Sequence, residues 1–171
     1  MQADIEARQN PGALAAGTIA AIGAATLGGA WFFQYALGIQ PCPMCLEQRY
    51  AYYLVIVLGA LLALVASRLP RTLVMALLAV LALAAFGNAI FGAYHAGVEW
   101  GFWPGPASCS GAAPDLGSAG SLLQRLDTVK VVRCDEVQWR FLGVSLAGYN
   151  FLISGLMGLV ALFGISRLRN A

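Results

Sequence analysis

Two cysteines at the start of an apolar segment are the residues most suited to chemistry in this sequence. Cys42-Pro-Met-Cys45 places two sulfurs three residues apart, a spacing at which a disulfide closes across the first turn of a helix. The amino terminus of a helix stabilises negative charge, which favours the thiolate form of a cysteine there. Because a thiolate is the nucleophile in thiol–disulfide exchange, the spacing predicts a dithiol that alternates between reduced and oxidised forms.

A second pair, Cys109 and Cys134, lies in a long polar segment and is compatible with three roles. As a structural disulfide it would contribute roughly 3–4 kcal/mol by closing a loop. Beside the first pair, the same bond would also take part in thiol–disulfide exchange, which is the role we favour. A zinc site would use four sulfurs or added histidines. The chain has one histidine and the second pair lacks CxxC spacing, so we expect no metal.

Arg49 and His95 are the other candidate site residues. Arg49 follows Cys45 by four residues and shares its helix face. An arginine at the start of a membrane span either extends to the interface or pairs with a polar group, here a thiolate at Cys45 or a ligand atom. His95 ends an apolar segment four residues before Glu99. It either pairs with Glu99 or acts in ligand binding or proton transfer near Cys45.

The composition places the chain in a membrane. Hydrophobic residues make up 60% of the 171 residues and charged residues 11%, against about 25% charged in soluble domains. A soluble core of this size could not bury that much apolar surface, so lipid must act as the solvent. The net charge of +2 and the absence of a basic tract argue against nucleic-acid binding.

Four long stretches without charge locate the membrane spans. They are 9–46, 50–67, 72–98 and 141–166. Each holds most or all of the roughly 20 residues that a spanning helix needs, and only helices satisfy the backbone of such a chain in lipid. We predict spans at 14–35, 47–66, 72–95 and 143–165. The fold class is therefore an all-α membrane protein, a four-transmembrane-helix bundle that forms a single domain over 1–171.

The order of the spans places all four cysteines on one side of the membrane. An up-and-down bundle has the loops 36–46 and 96–142 on that side, and both termini and the 67–71 turn on the other. Arginines are dense in the short turn and in the carboxyl-terminal tail, which marks their side as the cytoplasm. The cysteines then face the oxidising, extracytoplasmic side.

The cysteine side carries two further features. Every tryptophan and tyrosine lies at the ends of spans or in loops on that side, as either an interfacial belt or a surround for a flat, membrane-soluble ligand. In the long loop, Leu122, Leu123, Leu126 and Val129 recur at helical spacing. They predict a short amphipathic helix that lies on the membrane surface or packs against the spans.

Three sequence segments, placed in a fixed order relative to the four spans, resemble those of a known protein family. They are Pro41-Cys-Pro-Met-Cys-Leu-Glu-Gln-Arg-Tyr50, Tyr94-His-Ala-Gly-Val-Glu-Trp100 and Cys134-Asp-Glu-Val-Gln-Trp-Arg-Phe-Leu-Gly143. Over nearly the whole chain the sequence resembles the bacterial disulfide-bond formation protein B (DsbB) family. The segment 110–133 and the residues between paired cysteines depart from some members, which leaves the preferred partner open.

The resemblance implies a function, a location and a set of site residues. Members re-oxidise a periplasmic thioredoxin-like protein of the DsbA type and pass two electrons to a membrane quinone, ubiquinone or menaquinone. They lie in the bacterial inner membrane with both cysteine pairs on the periplasmic side. Carried over, the partner attacks the loop disulfide at Cys109, and Cys134 exchanges with Cys42. Cys45 is left as a thiolate facing the quinone. Arg49 matches the quinone-site arginine, and His95 resembles the quinone-proximal histidine.

Two other functions remain open at this stage. A non-enzymatic four-helix module would bind a partner through a long loop closed by Cys109 and Cys134, and would not need Cys42 or Cys45. A protein of the vitamin K epoxide reductase-like class would resemble the same chemistry on four helices. It would take electrons from a thioredoxin-like domain to reduce an epoxide or a quinone.

Overall fold

Four long helices make up most of the molecule. We describe residues 10–109 and 132–170 of a computed structural model of the chain. The helices are α1 (Pro11–Trp31), which continues as a π-helix over Phe32–Ala36, α2 (Pro43–Val65), which continues as a 3-10 turn over Ala66–Arg68, α3 (Arg71–Glu99) and α4 (Leu146–Asn170). Each is long and apolar enough to cross a membrane, which confirms the predicted four-helix membrane bundle. The amphipathic helix predicted near 122–130 lies outside the described residues.

Helix α2 begins at Pro43, four residues before its predicted span, because the Cys42 side chain caps its first turn. Cys42 is the N-cap residue, and its sulfur accepts a hydrogen bond from the Cys45 backbone N–H at 3.2 Å. Pro43 occupies the first helical position, where a missing N–H costs nothing. The capping places Cys45 inside the first turn of the helix and Arg49 in the second.

Small residues let the helices approach closely. Helix α3 packs most extensively against α4, and α1 packs against α2. At Gly92 an added Cβ would lie 2.9 Å from the Phe151 backbone nitrogen, and at Gly59 one would lie 2.9 Å from the Ala16 carbonyl oxygen. Helices in lipid associate through such contacts, because lipid tails are as apolar as the side chains themselves.

A short hairpin precedes α4 where the sequence predicted the start of a helix. Strands β1 (Arg140–Phe141) and β2 (Val144–Ser145) pair antiparallel around Leu142 and Gly143. Both turn residues have positive φ, +48° and +81°, as a two-residue hairpin turn requires. The predicted span therefore began three residues too early at 143. The Ser145 hydroxyl accepts a hydrogen bond from the Gly148 N–H in the first turn of α4.

Candidate redox site

The two cysteine pairs pack in one buried cluster at one end of the bundle. Cys42 and Cys45 are free, and their sulfurs lie 2.7 Å apart. Cys109, at the end of a 3-10 turn, is bonded to Cys134. Cys42, Cys109 and Cys134 are all buried and pack together with Met44. The fold therefore brings a loop disulfide against a dithiol that is more than sixty residues away in the chain.

Cys42 holds its proton more tightly than an ordinary cysteine does. The hydrogen bond to the Cys45 sulfur and the burial of the side chain together raise the pKa of the Cys42 thiol above its ordinary value of 9.0. Cys42 is therefore the donor of the 2.7 Å contact and Cys45 the acceptor. When the pair loses one of its two protons, the negative charge therefore falls on Cys45, in the first turn of the helix.

His95 contacts the inner pair rather than Glu99. Its Nε2 lies 3.6 Å from the Cys42 sulfur, and its Nδ1 lies 3.2 Å from the Gln48 side-chain nitrogen. A backbone hydrogen bond also connects the ring with Cys134. Only 2% of His95 is exposed. The imidazole thus lies where the two cysteine pairs meet, in the position that a role in ligand binding or proton transfer near Cys45 would need.

Glu99 has a partner on another element. It accepts a hydrogen bond from the Ser145 hydroxyl, the same group that caps α4. This contact joins the end of α3 to the beginning of α4. No sequence pattern predicted the hydrogen bond between Ser145 and Glu99 or the hairpin that carries Ser145.

Arg49 is held by a glutamine from α1. Its Nη1 donates a hydrogen bond to the Gln34 side-chain oxygen at 2.7 Å. Gln34 lies in the π-helix over Phe32–Ala36, where one extra residue per turn changes the direction of the side chains. Neither Gln34 nor Gln48 was among the site residues predicted from the sequence. The available signal was a polar side chain near the end of an otherwise apolar span.

A cavity of about 390 Å³ lies beside Cys45 and is lined by all four helices. Cys45, Arg49 and His95 are on its wall, and apolar side chains that include Leu27, Phe33 and Ile153 complete it. Its volume falls within the range of small-ligand sites, which is about 300–1,000 Å³. The cavity suits a flat apolar molecule with oxygen atoms that accept hydrogen bonds, because Arg49 supplies a donor and the walls are mostly apolar.

Aromatic rings in the cysteine-side half of the molecule divide into two groups. Phe33, Trp139 and Phe141 line the cavity, with the Phe33 and Trp139 ring centroids 4.8 Å apart. Tyr35 and Tyr50 are largely exposed, as an interfacial belt requires. Of the tryptophans and tyrosines on this side, Tyr52, Trp139 and Tyr149 line the cavity, and the interfacial belt and the ligand surround both stay predictions.

A buried polar cluster lies deeper in the bundle, next to the cavity. The Tyr52 hydroxyl donates to the Asn150 side-chain oxygen at 2.6 Å, and Asn88 donates to Asn150 and Ser154. These contacts join α2, α3 and α4. Every buried side-chain nitrogen and oxygen among the described residues has a hydrogen-bond partner, as a low-dielectric interior demands.

An aromatic stack orders the chain between α3 and Cys109. The Trp103 ring lies nearly parallel to Tyr94 at 5.8 Å, and its Nε1 donates to the Tyr94 carbonyl oxygen at 3.0 Å. Gly97 makes this possible, because an added Cβ would lie 2.2 Å from the Trp103 ring. The stack directs the following segment back across the end of the bundle towards the inner pair.

The same side chains could also hold a metal ion. Across residues 10–109 and 132–170, one group of three possible ligands occurs, Cys42, Cys45 and His95, with ligand atoms within 4.8 Å of one another. A disulfide between Cys42 and Cys45 removes two of these ligands. Metal binding and disulfide formation at this site would therefore exclude each other.

Comparison with known proteins gives a consistent family match. The family model described as "Disulfide bond formation protein DsbB" matches residues 12–164. A protein named disulfide bond formation protein B from Polaromonas naphthalenivorans is 32% identical over 139 residues, which cover 80% of this chain and 81% of the relative. One of the same name from Aromatoleum aromaticum is 31% identical and covers 87% and 89%. No solved structure matches the chain.

Proposed function

Since the chain belongs to the DsbB family of disulfide bond formation proteins, we propose that it re-oxidises a periplasmic thioredoxin-like protein of the DsbA type and delivers two electrons to a membrane quinone. Family membership and the four spanning helices make it a multi-pass membrane protein and a disulfide oxidoreductase. The observation that carries the finer proposal is the packing of both cysteine pairs in one cluster beside an apolar cavity.

The first step takes place at the loop disulfide. A thiolate of the reduced partner attacks Cys109, the Cys109–Cys134 bond breaks, and a mixed disulfide with Cys109 forms while Cys134 leaves as a thiolate. The second thiol of the partner then resolves the mixed disulfide. The partner leaves oxidised, and the loop pair holds two thiols and the two electrons.

The second step moves the electrons inward. With the inner pair oxidised, Cys134 attacks Cys42, the Cys42–Cys45 bond breaks and Cys45 leaves as a thiolate. Cys109 then displaces Cys42 from Cys134, which restores the loop disulfide and leaves Cys42 and Cys45 reduced. The structure has this arrangement, with the loop pair bonded and the inner pair free.

The cavity residues fit a quinone ring. A bound quinone supplies an acceptor for two electrons and two protons. Cys45 lies on the cavity wall as the sulfur that carries negative charge, and Arg49 is positioned to donate a hydrogen bond to a ring oxygen. Phe33 and Trp139 offer apolar faces for the ring. Formation of the Cys42–Cys45 disulfide then completes the cycle and returns the inner pair to its oxidised state.

A turnover assay with single cysteine variants tests this proposal. The purified protein in lipid nanodiscs is given a reduced thioredoxin-like partner and a short-chain ubiquinone or menaquinone, and quinone loss is followed by absorbance. We expect Cys→Ser at position 42, 45, 109 or 134 to abolish turnover, whereas Ser166→Ala at the opposite end of the molecule retains it. Full turnover by the Cys42 or Cys45 variant would reject the proposal.

A labelling experiment tests the proposed orientation. We place both cysteine pairs on the periplasmic side and both termini in the cytoplasm. Because Cys109 and Cys134 are buried, cysteines introduced at the exposed positions Phe102 and Glu136, with all four native cysteines replaced, should then be labelled by a membrane-impermeant maleimide. The matched controls are cysteines introduced at Ser67 and Ser166 in a background with all four native cysteines replaced. Labelling at positions 67 and 166, with protection at positions 102 and 136, would show the reverse orientation.

A further inference from the structure

A continuous line of hydrogen bonds runs from Gln48 to the reactive sulfur. The Gln48 Nε2 lies 3.2 Å from His95 Nδ1, His95 Nε2 lies 3.6 Å from the Cys42 sulfur, and that sulfur lies 2.7 Å from Cys45. Gln48, His95 and Cys42 are 6%, 2% and 2% exposed. Water therefore has little access to these groups, and each must take its hydrogen-bond partner from the protein.

We propose that Gln48 is a positioning residue that holds His95 in the tautomer with its hydrogen on Nε2, facing Cys42. The role of this tautomer in electron delivery rests on the proposed function, in which Cys45 is the sulfur at the cavity. The tautomer itself is a property of the reduced protein alone, and nothing in the family match assigns a task to Gln48.

The direction of each bond follows from what the groups can donate. A side-chain amide nitrogen donates and does not accept, so His95 Nδ1 must be the accepting nitrogen. A neutral imidazole then carries its single hydrogen on Nε2, which points at the Cys42 sulfur. Cys42 in turn donates to Cys45. The three side-chain bonds of this line run the same way, and their combined polarisation favours negative charge on Cys45.

The histidine alone would make this choice only weakly. A free neutral imidazole side chain favours the hydrogen on Nε2 by a small margin, so the neighbouring groups decide which tautomer is populated. With the hydrogen on Nδ1, the bare Nε2 would compete with Cys45 for the proton of Cys42. The amide of Gln48 excludes that state, because its N–H groups and an Nδ1–H would point at each other.

The single histidine of the chain makes the tautomer directly measurable. Protein labelled with ¹⁵N-histidine and reduced with dithiothreitol gives two ring-nitrogen resonances by NMR, and their shifts distinguish the protonated from the bare nitrogen. We expect the hydrogen on Nε2 in the native protein. In Gln48→Met, which keeps the side-chain volume, both tautomers should be populated. In Gln48→Glu the carboxylate accepts from the ring, and the Nδ1 should become protonated.

A neighbouring substitution provides the matched control. Glu47→Met introduces the same side chain at the next position of α2, which is exposed, and should leave both resonances in place. A native protein with the hydrogen on Nδ1, or a Gln48→Met protein with unchanged shifts, would overturn the proposal. The second result would mean that the backbone of Cys134, which also bonds the ring, selects the tautomer.

The chemical consequence is measured separately, without quinone or partner. Alkylation of Cys45 by iodoacetamide at pH 7 should slow by roughly fivefold to tenfold in Gln48→Met, since one hydrogen bond that supports the charge is lost. Glu47→Met should react like the native protein. An equal rate in Gln48→Met would overturn the role assigned to the tautomer. Because neither measurement involves electron transfer, failure here leaves the proposed function intact, and failure of the turnover assay leaves the tautomer intact.

Discussion

Arg49 and Gln34 connect the start of α2 to the end of α1 at the wall of the cavity. The guanidinium donates to the Gln34 side-chain oxygen at 2.7 Å, and Gln34 reaches it from a π-helical turn. A charged hydrogen bond of this kind contributes about 1.5–3 kcal/mol. The contact leaves the remaining N–H groups of Arg49 for a ligand, so Gln34 sets the direction in which the cation faces the cavity.

Loss of the Gln34 acceptor should weaken quinone binding more than it slows the chemistry. In Gln34→Leu we expect the KM for a short-chain quinone to rise roughly tenfold with little change in kcat, because the arginine remains but is no longer oriented. The control is Tyr35→Leu on the same π-helix, whose side chain is largely exposed. A fall in kcat at constant KM would contradict a positioning role for Gln34.

Removal of the Arg49 charge should lower kcat/KM for quinone more than removal of an arginine charge far from the cavity. We expect Arg49→Met to lower kcat/KM for quinone by about a hundredfold, the loss typical of a charge-assisted hydrogen bond in a site shielded from water. Arg71→Met, at the opposite end of the bundle, makes the same change away from the cavity. Similar kinetics for both variants, measured by quinone absorbance, would place the ligand elsewhere.

The raised pKa of Cys42 predicts a selective reaction of the reduced protein. Between pH 7 and 9 the thiolate fraction of an ordinary cysteine rises from about 3% to about 75%, and modification of Cys42 in the denatured chain should follow that rise. In the folded protein Cys42 should remain protonated and react slowly over the whole range, because its proton is held by Cys45 and by burial. Peptide mass spectrometry after brief alkylation measures both rates. Equal modification of Cys42 and Cys45 would contradict the assignment of the proton.

A methyl group at Gly97 should disturb the segment that carries Cys109. An added Cβ would lie 2.2 Å from the Trp103 ring, which must then move. We expect Gly97→Ala to lose about 1–3 kcal/mol of stability and to slow exchange between the loop pair and the inner pair. Gly87→Ala in the same helix meets nothing within 4 Å and should be neutral or stabilising by up to about 1 kcal/mol. Denaturation followed by intrinsic fluorescence, together with single-turnover exchange, tests both variants.

The elements of the fold were largely predictable, because a membrane imposes local constraints. The distances between charges located four spans, and lipid permits only helices across such stretches. The ends of the four spans were predicted less accurately than their number. Helix α2 begins earlier than hydropathy indicated, because Cys42 caps its first turn. Leu142 and Gly143 adopt positive φ and form the turn of a hairpin, where the apolar pattern had predicted helix.

By itself the sequence determined that this is a four-span membrane protein with a dithiol at a helix start and a second cysteine pair in a long loop. Only the tertiary structure decided that Gln34 holds Arg49, that Gln48 contacts His95, and that Ser145 rather than His95 partners Glu99. Hydropathy and spacing report how each residue prefers water or lipid, a property of short segments. Hydrogen bonds between helices depend instead on how each helix is rotated about its axis and how closely it packs, and these follow from the contacts of the whole bundle.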